Sequence, residues 1–544
     1  MSGDDSLFLT GARVYTADPR QPWATAVVTR GGFVAYAGDE HGARAFVGPR
    51  TERIHLPGAL AVPGLNDSHI HLSWGARGFD ILNLEGVATP PELQERLRAY
   101  AATFPCRPWI EGFGLPYEAF AGLAGLPREI LDTAVAGRPV YLRAYDWHSA
   151  WANTVALERA GIARGAALPP PNRVAVDDET GLATGMLKEK LALDLVARLI
   201  PEPPEEERDD LLRRAMRHVN AHGVTSVQNM DGDPARLAQY ERLRERGDVT
   251  VRAAHYLSVR EDTPREELRR LAELLPAYAG PWNRLRGIKL FMDGVVESKT
   301  ALLLDPYADG SGEAGVPDID PDAYRDIVVL ADALRLAVAT HAIGDRAVRL
   351  ALNAYEAARI ANGNRRARRH RIEHVELIQP ADVPRFAHLG VVSSMQPLHA
   401  ILGGDPRATP WTALVGPARE PDAFAWQSLL QTGARLAFGS DWPIVTPDAR
   451  LGLYAAIART GLGGEPVEGW QPQQRITLAQ ALDAYTRGAA YAEGQEKVKG
   501  ALRAGMLADL TVFARDPFAL PPDELPSVDI ALTVVDGRVA HRKG

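Results

Sequence analysis

The chain has 544 residues, of which 46% are hydrophobic and 24% charged, and its formal net charge is −8. These values are typical of a folded globular protein and exclude a disordered, collagen-like or coiled-coil chain. The acidic balance argues against a general nucleic-acid binder, and the single cysteine excludes a disulfide framework and a cysteine-based zinc site.

The location of the protein is predicted from its N-terminus and its apolar stretches. The N-terminal residues are acidic, and no basic region precedes an apolar run as in a signal peptide. Apolar stretches are interrupted within about ten residues, whereas a membrane span needs roughly 20. We therefore expect a cytoplasmic protein that acts on a small-molecule substrate and contacts neither membrane nor nucleic acid. A homodimer is compatible with the sequence.

Short strand patterns separated by Gly, Pro and Asp turns occupy both ends of the chain. They lie at Leu7–Thr10, Arg13–Tyr15, Ala26–Thr29, Phe33–Gly38, Arg53–Leu56, Asp509–Phe513, Ile530–Val535 and Arg538–His541. We predict one small β-sandwich domain built from residues 1–59 and 491–544, with the rest of the chain inserted into it.

Residues 60–490 alternate buried-type strands with helical stretches, which is typical of a parallel α/β fold. The eight strand candidates are Leu60–Leu65, Thr225–Asn229, Val251–Leu257, Arg286–Phe291, Leu336–His341, His370–Val375, Val391–Gln396 and Leu436–Ser440. Helical patterns such as Pro234–Arg246 and Asp345–Asn362 lie between them. This order predicts a (β/α)₈ barrel. Residues 73–208 are too long for a crossover, so we predict a folded insertion that caps the catalytic face.

Side chains that bind metal ions lie at or after the predicted strands. His69 and His71 follow the first strand, and alternate residues of an extended chain point to the same side. The other candidates are Lys289 in the fourth strand, His341 and His374 at the ends of the fifth and sixth, and Asp441 after the eighth. Barrel enzymes keep their active sites at this end. Imidazole and carboxylate ligands predict one or two divalent ions per chain, with Zn²⁺ as the first choice.

Several longer motifs point to a known family. They are residues 63–72 (Pro-Gly-Leu-Asn-Asp-Ser-His-Ile-His-Leu), 148–153 (His-Ser-Ala-Trp-Ala-Asn), 185–189 (Gly-Met-Leu-Lys-Glu), 370–374 (His-Arg-Ile-Glu-His) and 439–443 (Gly-Ser-Asp-Trp-Pro). With them the chain resembles the amidohydrolase superfamily, in its YtcJ-like branch, over nearly its whole length.

The resemblance implies a ligand set. His69, His71 and Asp441 would hold the more buried metal, and His341 and His374 would hold a second. A carbamylated lysine at position 289 would bridge the two. The alternative is an unmodified Lys289 paired with Asp293 or Asp441, because a buried ammonium without a partner is costly.

Residues around the metal ligands are expected to contact the substrate. The resemblance suggests this role for His148, whose alternative is a structural residue at a helix start. The other expected contacts are Trp147, Phe291, Gln396, His399 and Trp442. The aromatic residues among these contacts indicate an apolar substituent on the substrate. The alternative is that they only pack within the loops and do not contact the substrate.

Together these observations predict a metal-dependent amidohydrolase that acts on C–N bonds other than peptide bonds. A metal-bound hydroxide would attack the carbonyl, and Asp441 would take and return the proton. One metal, together with His148, would stabilise the oxyanion. Two alternatives remain: a deaminase or a non-hydrolytic lyase or isomerase on the same site, and a metal-binding protein without catalysis.

Overall fold

The structure is a computed structural model that describes residues 6–120, 125–363 and 368–544. The chain divides into two compact units. One consists of the segment that ends at Ser73 together with Leu212–Gly544, and the other is Trp74–Leu211. None of the helices in the described ranges is long and apolar enough to cross a membrane.

The first unit contains a sheet of eight parallel strands. They are β1 (Leu65–Ile70), β2 (Val224–Gly232), β3 (Arg252–Ser258), β4 (Asn283–Phe291), β5 (Ala337–Ala342), β6 (Arg371–His374), β7 (Val392–Met395) and β8 (Arg435–Phe438). Each strand pairs with the next one in this order. After β8, the amide of Asp441 donates to His69 O at 2.7 Å, and the amide of His71 donates to Trp442 O at 2.8 Å. These bonds nearly close the sheet into a barrel.

Helices alternate with the barrel strands. The described α-helices are Glu40–Ala43, Leu72–Gly78, Pro90–Thr103, Pro127–Ala134, Thr154–Arg159, Lys190–Ala197, Glu205–Ala221, Pro234–Arg246, Arg265–Glu273, Pro321–Ala333, Asp345–Asn362, Val383–Leu389, Pro410–Val415, Trp426–Gln431, Ala449–Ala458, Leu478–Asp483 and Ala489–Ala492.

Local chemistry explains why the helix Pro234–Arg246 has the bounds that its sequence predicts. The Asp233 side chain accepts from the amide of Arg236 at 2.8 Å. Proline opens the helix, and Gly247 ends it in the left-handed region with φ +81°. A carboxylate cap, an N-terminal proline and a C-terminal glycine are the strongest local signals for helix ends.

The prediction that the first barrel strand is Leu60–Leu65 was wrong by one segment. Leu60–Pro63 pairs with Arg13–Tyr15 and Leu510–Phe513 in a sheet outside the barrel, whereas the first barrel strand is Leu65–Ile70. Both segments are fully buried, so their apolar pattern cannot distinguish the two sheets. Gly64 separates them, and a Cβ at Gly64 would lie 2.2 Å from Thr225 Oγ1, so this approach requires glycine.

The terminal strands form two sheets. One has the order Arg538–Arg542, Ile530–Val535, Leu510–Phe513, Leu60–Pro63, Arg13–Tyr15 and Trp23–Ala24. The other has the order Phe33–Gly38, Ala26–Arg30, Ser6–Thr10 and Glu52–His55. Leu7 and Leu9 of the second sheet share a buried cluster with Leu510 and Leu532 of the first. Both sheets lie in the same compact unit as the barrel, and a separate β-sandwich domain stays a prediction.

A buried ion pair joins the barrel to the C-terminal strands. Arg252, at the start of β3, is 1% exposed. Its Nε donates to Asp509 Oδ2 at 2.8 Å, and one terminal nitrogen donates to Asp536 Oδ1 at 2.9 Å. Because the guanidinium is buried, its loss would leave the Asp509 carboxylate without a charge partner in a low-dielectric environment.

We expect Arg252→Met to lower the free energy of unfolding by about 3–5 kcal/mol, the usual cost of leaving half of a buried ion pair. Arg542→Met is the matched control, because Arg542 pairs with Glu52 where both side chains are about half exposed. It should cost less than about 1 kcal/mol. Equal losses for the two variants in chemical denaturation would contradict this account of the Arg252 pair.

The second unit has its own sheet and core. Its strands have the order Arg173–Val176, Ala183–Lys188, Ser149–Ala152, Val140–Ala144, Ile110–Leu115 and Leu82–Asn83. Leu142 belongs to one buried cluster of this unit, and its neighbour Tyr141 belongs to another. The two faces of the sheet are therefore both covered. Residues 121–124 of the predicted insertion lie outside the described residues, and a cap over the catalytic face stays a prediction.

Candidate metal centre

The six predicted metal ligands are all buried. They lie at or just after the carboxyl ends of barrel strands, with one correction to the sequence analysis: His69 lies within β1 rather than after the first strand. The six are His69 in β1, His71 directly after it, Lys289 in β4, His341 in β5, His374 at the end of β6, and Asp441 after β8.

Asp441 faces the histidine pair of the first strand. Its Oδ1 lies 3.0 Å from His71 Nε2 and 3.3 Å from His69 Nε2. One ligand atom from each of the three residues lies within 4.8 Å of the others, a spacing that one ion can span. Burial alone would raise the pKa of the Asp441 carboxyl, but the two imidazoles hold it well below its ordinary value. The carboxylate is therefore anionic, as a metal ligand must be.

Asp441 also belongs to a second group of ligand atoms, with His374 and His399. The His374 ring centroid lies 4.9 Å from that of His69 and 4.4 Å from that of His341, so these rings form one cluster. Burial, and then the neighbouring His341 and His69, keep the pKa of His374 well below its ordinary value. A neutral imidazole is the form that binds metals.

The backbone at two of these ligands is unusual. His374 has φ +74° and Asp441 has φ +65°, in the left-handed region that non-glycine residues rarely adopt. Such conformations cost of order 1–3 kcal/mol and persist where surrounding structure enforces them, most often at functional sites.

Asp67 holds the segment after β8 against β1. Its Oδ1 accepts from the amides of His69 at 3.1 Å and Ser440 at 3.0 Å, and its Oδ2 accepts from the Ser440 hydroxyl at 2.5 Å. These bonds fix His69 and Asp441 relative to each other, because Asp67 contacts the His69 amide itself and also Ser440, which directly precedes Asp441.

Lys289 is a buried amine without an ion-pair partner among the described residues. It is 1% exposed, and its Nζ lies 4.8 Å from the centroid of the Phe291 ring. Across the described ranges, no hydrogen bond reaches Nζ. Asp293 instead accepts from the amides of Leu302 and Gly344. Burial lowers the pKa of Lys289 to about 8, although Glu373 and Asp441 oppose this shift.

Glu373 orients His69, a candidate metal ligand, and was not predicted to do so. Its Oε2 lies 2.6 Å from His69 Nδ1, while Arg371 Nε donates to its Oε1 at 2.5 Å. Arg371 and Glu373 alternate along β6, so their pairing could be expected from the sequence. The contact with His69 could not, because it joins residues 304 positions apart.

We expect Glu373→Gln to weaken metal affinity by about 10- to 100-fold, because a carboxylate behind a ligating imidazole fixes its tautomer and raises its basicity. Titration of Zn²⁺ against a competing chelator measures the change. Glu496→Gln is the control, because Glu496 also pairs with an arginine, Arg369, but among the described residues it belongs to no candidate ligand group. Unchanged affinity in Glu373→Gln would contradict the prediction.

Three of the predicted substrate contacts in the first unit pack against histidine rings, and the fourth, Gln396, has a buried amide group. Phe291 lies 5.2 Å from His341 between ring centroids, and His399 stacks on His374 at 6.1 Å. Trp442 packs on His218 at 5.4 Å. Gln396 is 1% exposed, and neither of its amide atoms has a hydrogen-bond partner within the described part of the chain. A buried carboxamide in this state is costly unless a ligand or water satisfies it.

The Nδ1 atom of His399 faces the carboxylate of Glu376. Its Nδ1 lies 3.5 Å from Glu376 Oε1, and Trp411 Nε1 donates to Glu376 Oε2 at 2.8 Å. Its Nε2 lies 3.9 Å from Asp441 Oδ2. Burial would lower the pKa of His399, but Glu376 and Asp441 outweigh it and raise that pKa. In its neutral form His399 is a candidate ligand, since it belongs to the group with His374 and Asp441, and it is also a candidate substrate contact.

Trp147 and His148 lie in the second unit. His148 Nδ1 is 2.9 Å from Glu189 Oε2, and its amide donates to Asp146 Oδ1 at 3.0 Å. Trp147 and Glu189 both have positive φ, at 64° and 62°. His148 therefore contacts two residues with a strained backbone: Trp147, which precedes it in the sequence, and Glu189, whose carboxylate fixes its ring.

Known proteins resemble this chain over nearly its full length. The amidohydrolase family model matches residues 52–541. YtcJ of Bacillus subtilis (strain 168) is 30% identical over 541 residues, covering 98% of this chain and 99% of that protein. The N-substituted formamide deformylase of Arthrobacter pascens is 28% identical over 557 residues, covering 99% and 98%. A crystal structure of a metal-dependent hydrolase from Pyrococcus horikoshii OT3 aligns with a TM-score of 0.75 at 27% identity, covering 95% and 99%.

Proposed function

The chain belongs to the amidohydrolase family and is a metal-dependent hydrolase, and on that premise we propose that it cleaves an amide-type C–N bond other than a peptide bond. The observation that carries the proposal is the placement of Asp441, whose carboxylate faces His69 and His71 and also belongs to the group with His374. The Arthrobacter pascens relative, a deformylase by name, supports an N-acyl substrate.

The residues of the centre fit a divalent ion, and we propose Zn²⁺. The buried Nδ1 of His374 and Nζ of Lys289 lack hydrogen-bond partners among the described residues, although buried polar atoms normally have them. His69, His71 and Asp441 would hold one ion, and His341 and His374 would hold a second. When bound, such an ion lowers the pKa of a coordinated water and polarises a carbonyl.

We propose that Lys289 bridges the two positions as a carbamate. Its lowered pKa leaves a substantial fraction of neutral amine near pH 8. The ammonium first loses one proton to solvent, and the neutral amine nitrogen then adds to the carbon of CO₂ and loses a second proton, so a buried cation becomes a buried anion. The reaction removes the cost of an unpaired ammonium in an apolar strand.

Asp441 is the proposed proton carrier of the reaction. Its carboxylate is anionic, so it would accept a proton from the attacking water. It would then return that proton to the leaving nitrogen, which makes the nitrogen a better leaving group. His69 and His71 keep the carboxylate oriented through the 3.3 and 3.0 Å contacts.

His148 is proposed to donate to the developing oxyanion, a role that rests on the sequence motif and on the fixed ring described above. His148→Ala should lower kcat by about 10²- to 10³-fold with unchanged metal content, the usual effect of losing one oxyanion donor. Tyr117→Phe is the control for local structure, because the Tyr117 hydroxyl donates to Asp146 and accepts from the Ser149 hydroxyl, on either side of His148 in the sequence. It should lower the melting temperature and leave kcat unchanged. A stable His148→Ala variant with wild-type kinetics would remove His148 from the mechanism.

The substrate contacts proposed are Trp147, Phe291, Gln396, His399 and Trp442. Their aromatic and amide side chains suit an acyl compound with an apolar substituent, whose carbonyl or amide group would satisfy Gln396.

A screen of the metal-loaded protein against N-formyl, N-acyl, cyclic imide, carbamate and ester substrates tests the proposal. Release of an amine and a carboxylic acid is the expected result, and it should be absent in the His69→Ala/His71→Ala variant. Ammonia released from a heterocycle would identify a deaminase instead, and CO₂ released without water uptake would identify a lyase. No turnover in the whole panel would favour a metal-binding protein without catalysis.

A further inference from the structure

An arginine of the second unit projects from a strand into a cluster of aromatic rings. Arg143 lies on the strand Val140–Ala144, directly opposite Ala150 on the antiparallel strand Ser149–Ala152. Tyr141 is two residues away and therefore lies on the same face. Because alanine is short, it leaves room for the guanidinium above this face, and the strand backbone holds Arg143 in a defined position.

The surroundings of Arg143 are mainly aromatic. Its Cζ lies 4.8 Å from the Trp147 ring centroid, 5.9 Å from that of Trp74 and 5.6 Å from that of Tyr141. Trp74 and Trp147 stack on each other with centroids 5.3 Å apart and an interplanar angle of 5°. Ring faces attract a cation, but they do not neutralise its charge.

No carboxylate pairs with Arg143 in the described part of the chain, although other arginines of this unit have such partners. Arg77 binds Asp80 and Glu111, and Arg107 also binds Asp80. The carboxylate nearest in sequence, Asp146, accepts from the Tyr117 hydroxyl and the His148 amide. A half-buried guanidinium thus has no carboxylate paired with it among the described residues, which is unfavourable without a ligand anion.

We propose that Arg143 and the Trp74–Trp147 pair form a binding site for a carboxylate that is attached to a planar aromatic group. The fork of a guanidinium matches the two oxygens of a carboxylate, and the indole faces suit a flat ring. Trp147 is held at φ +64°, a strained conformation that a binding site can explain. The site is confined to the second unit and shares Trp147 with the proposed substrate contacts, but it goes beyond the proposed hydrolysis, since carboxylate binding does not depend on turnover.

Isothermal titration of the full-length protein tests the site with benzoate, its neutral isostere benzamide, and acetate. Benzoate should bind at least about tenfold more tightly than benzamide, because only benzoate forms charge-assisted bonds with Arg143. Arg143→Met should weaken benzoate binding by about tenfold or more and leave benzamide unchanged. Arg143→Lys should restore part of the affinity, because it keeps the charge without the fork.

Arg159→Met is the matched control, because Arg159 also lies over an indole, that of Trp109, at 5.8 Å in the same unit. It should bind benzoate like the wild type. Equal affinity of the wild-type protein for benzoate and benzamide, or no benzoate binding at millimolar concentration, would overturn the proposal without any variant. Benzoate binding that is lost in His69→Ala/His71→Ala but kept in Arg143→Met would place the carboxylate on a metal and would also overturn it.

Discussion

Replacing His69 and His71 together by alanine should remove at least one divalent ion per chain and lower kcat by about 10³-fold or more. The two imidazoles supply two of the three ligand atoms of this group, and the third, the Asp441 carboxylate, would alone hold a divalent ion weakly at neutral pH. A bound ion contributes several kcal/mol of transition-state stabilisation, and each 1.36 kcal/mol corresponds to a factor of ten in rate. Elemental analysis of the purified variant, followed by steady-state kinetics on the same preparation, measures both effects.

The double variant His218→Ala/His222→Ala is the matched control for metal content. These two histidines also lie near each other, with ring centroids 4.7 Å apart, but neither belongs to a candidate ligand group. The control should retain the wild-type number of ions. Full metal content in the His69→Ala/His71→Ala variant would contradict the assignment of the centre to these strand ends.

Lys289→Ala should abolish most activity, with kcat lowered by about 10²-fold or more, because it removes the anion that would bridge the two metal positions. Short carboxylic acids such as acetate should partly restore the rate, since they can occupy the volume left by the lysine and supply the missing oxygens. The readout is kcat as a function of acetate concentration. Labelled bicarbonate provides a second readout, because the wild type should show a carbamate carbon signal by ¹³C NMR that Lys289→Ala lacks.

Lys499→Ala is the matched control for this experiment. Lys499 is also buried, but it is paired with Glu493 at 2.6 Å and so has no need of carbamylation. Acetate should leave the activity of Lys499→Ala unchanged. Wild-type activity in Lys289→Ala, or an absence of rescue together with no carbamate signal in the wild type, would contradict a carbamate bridge.

The order of strands and helices, and the meeting of the candidate ligands at one end of the barrel, could be predicted from the sequence. Pro234–Arg246 and Asp345–Asn362 have the predicted bounds, because their end signals act within a few residues. His341, His374 and Asp441 could be recognised because barrel strands bring their carboxyl ends together, whatever the exact packing. Hydrophobic periodicity and the residues at helix ends predict these elements, because both depend only on residues that are close together in the sequence.

Contacts between distant strands were decided only by the tertiary structure. The carboxylate that orients His69 comes from Glu373 in β6, and the ring that joins His374 and Asp441 is His399, which follows β7. The predicted position of the first barrel strand was wrong by one segment. Leu60–Pro63 and Leu65–Ile70 are equally buried and differ only in the sheet that they join. A sequence pattern specifies which face of a segment is buried, whereas the identity of the neighbour depends on register and packing across hundreds of residues.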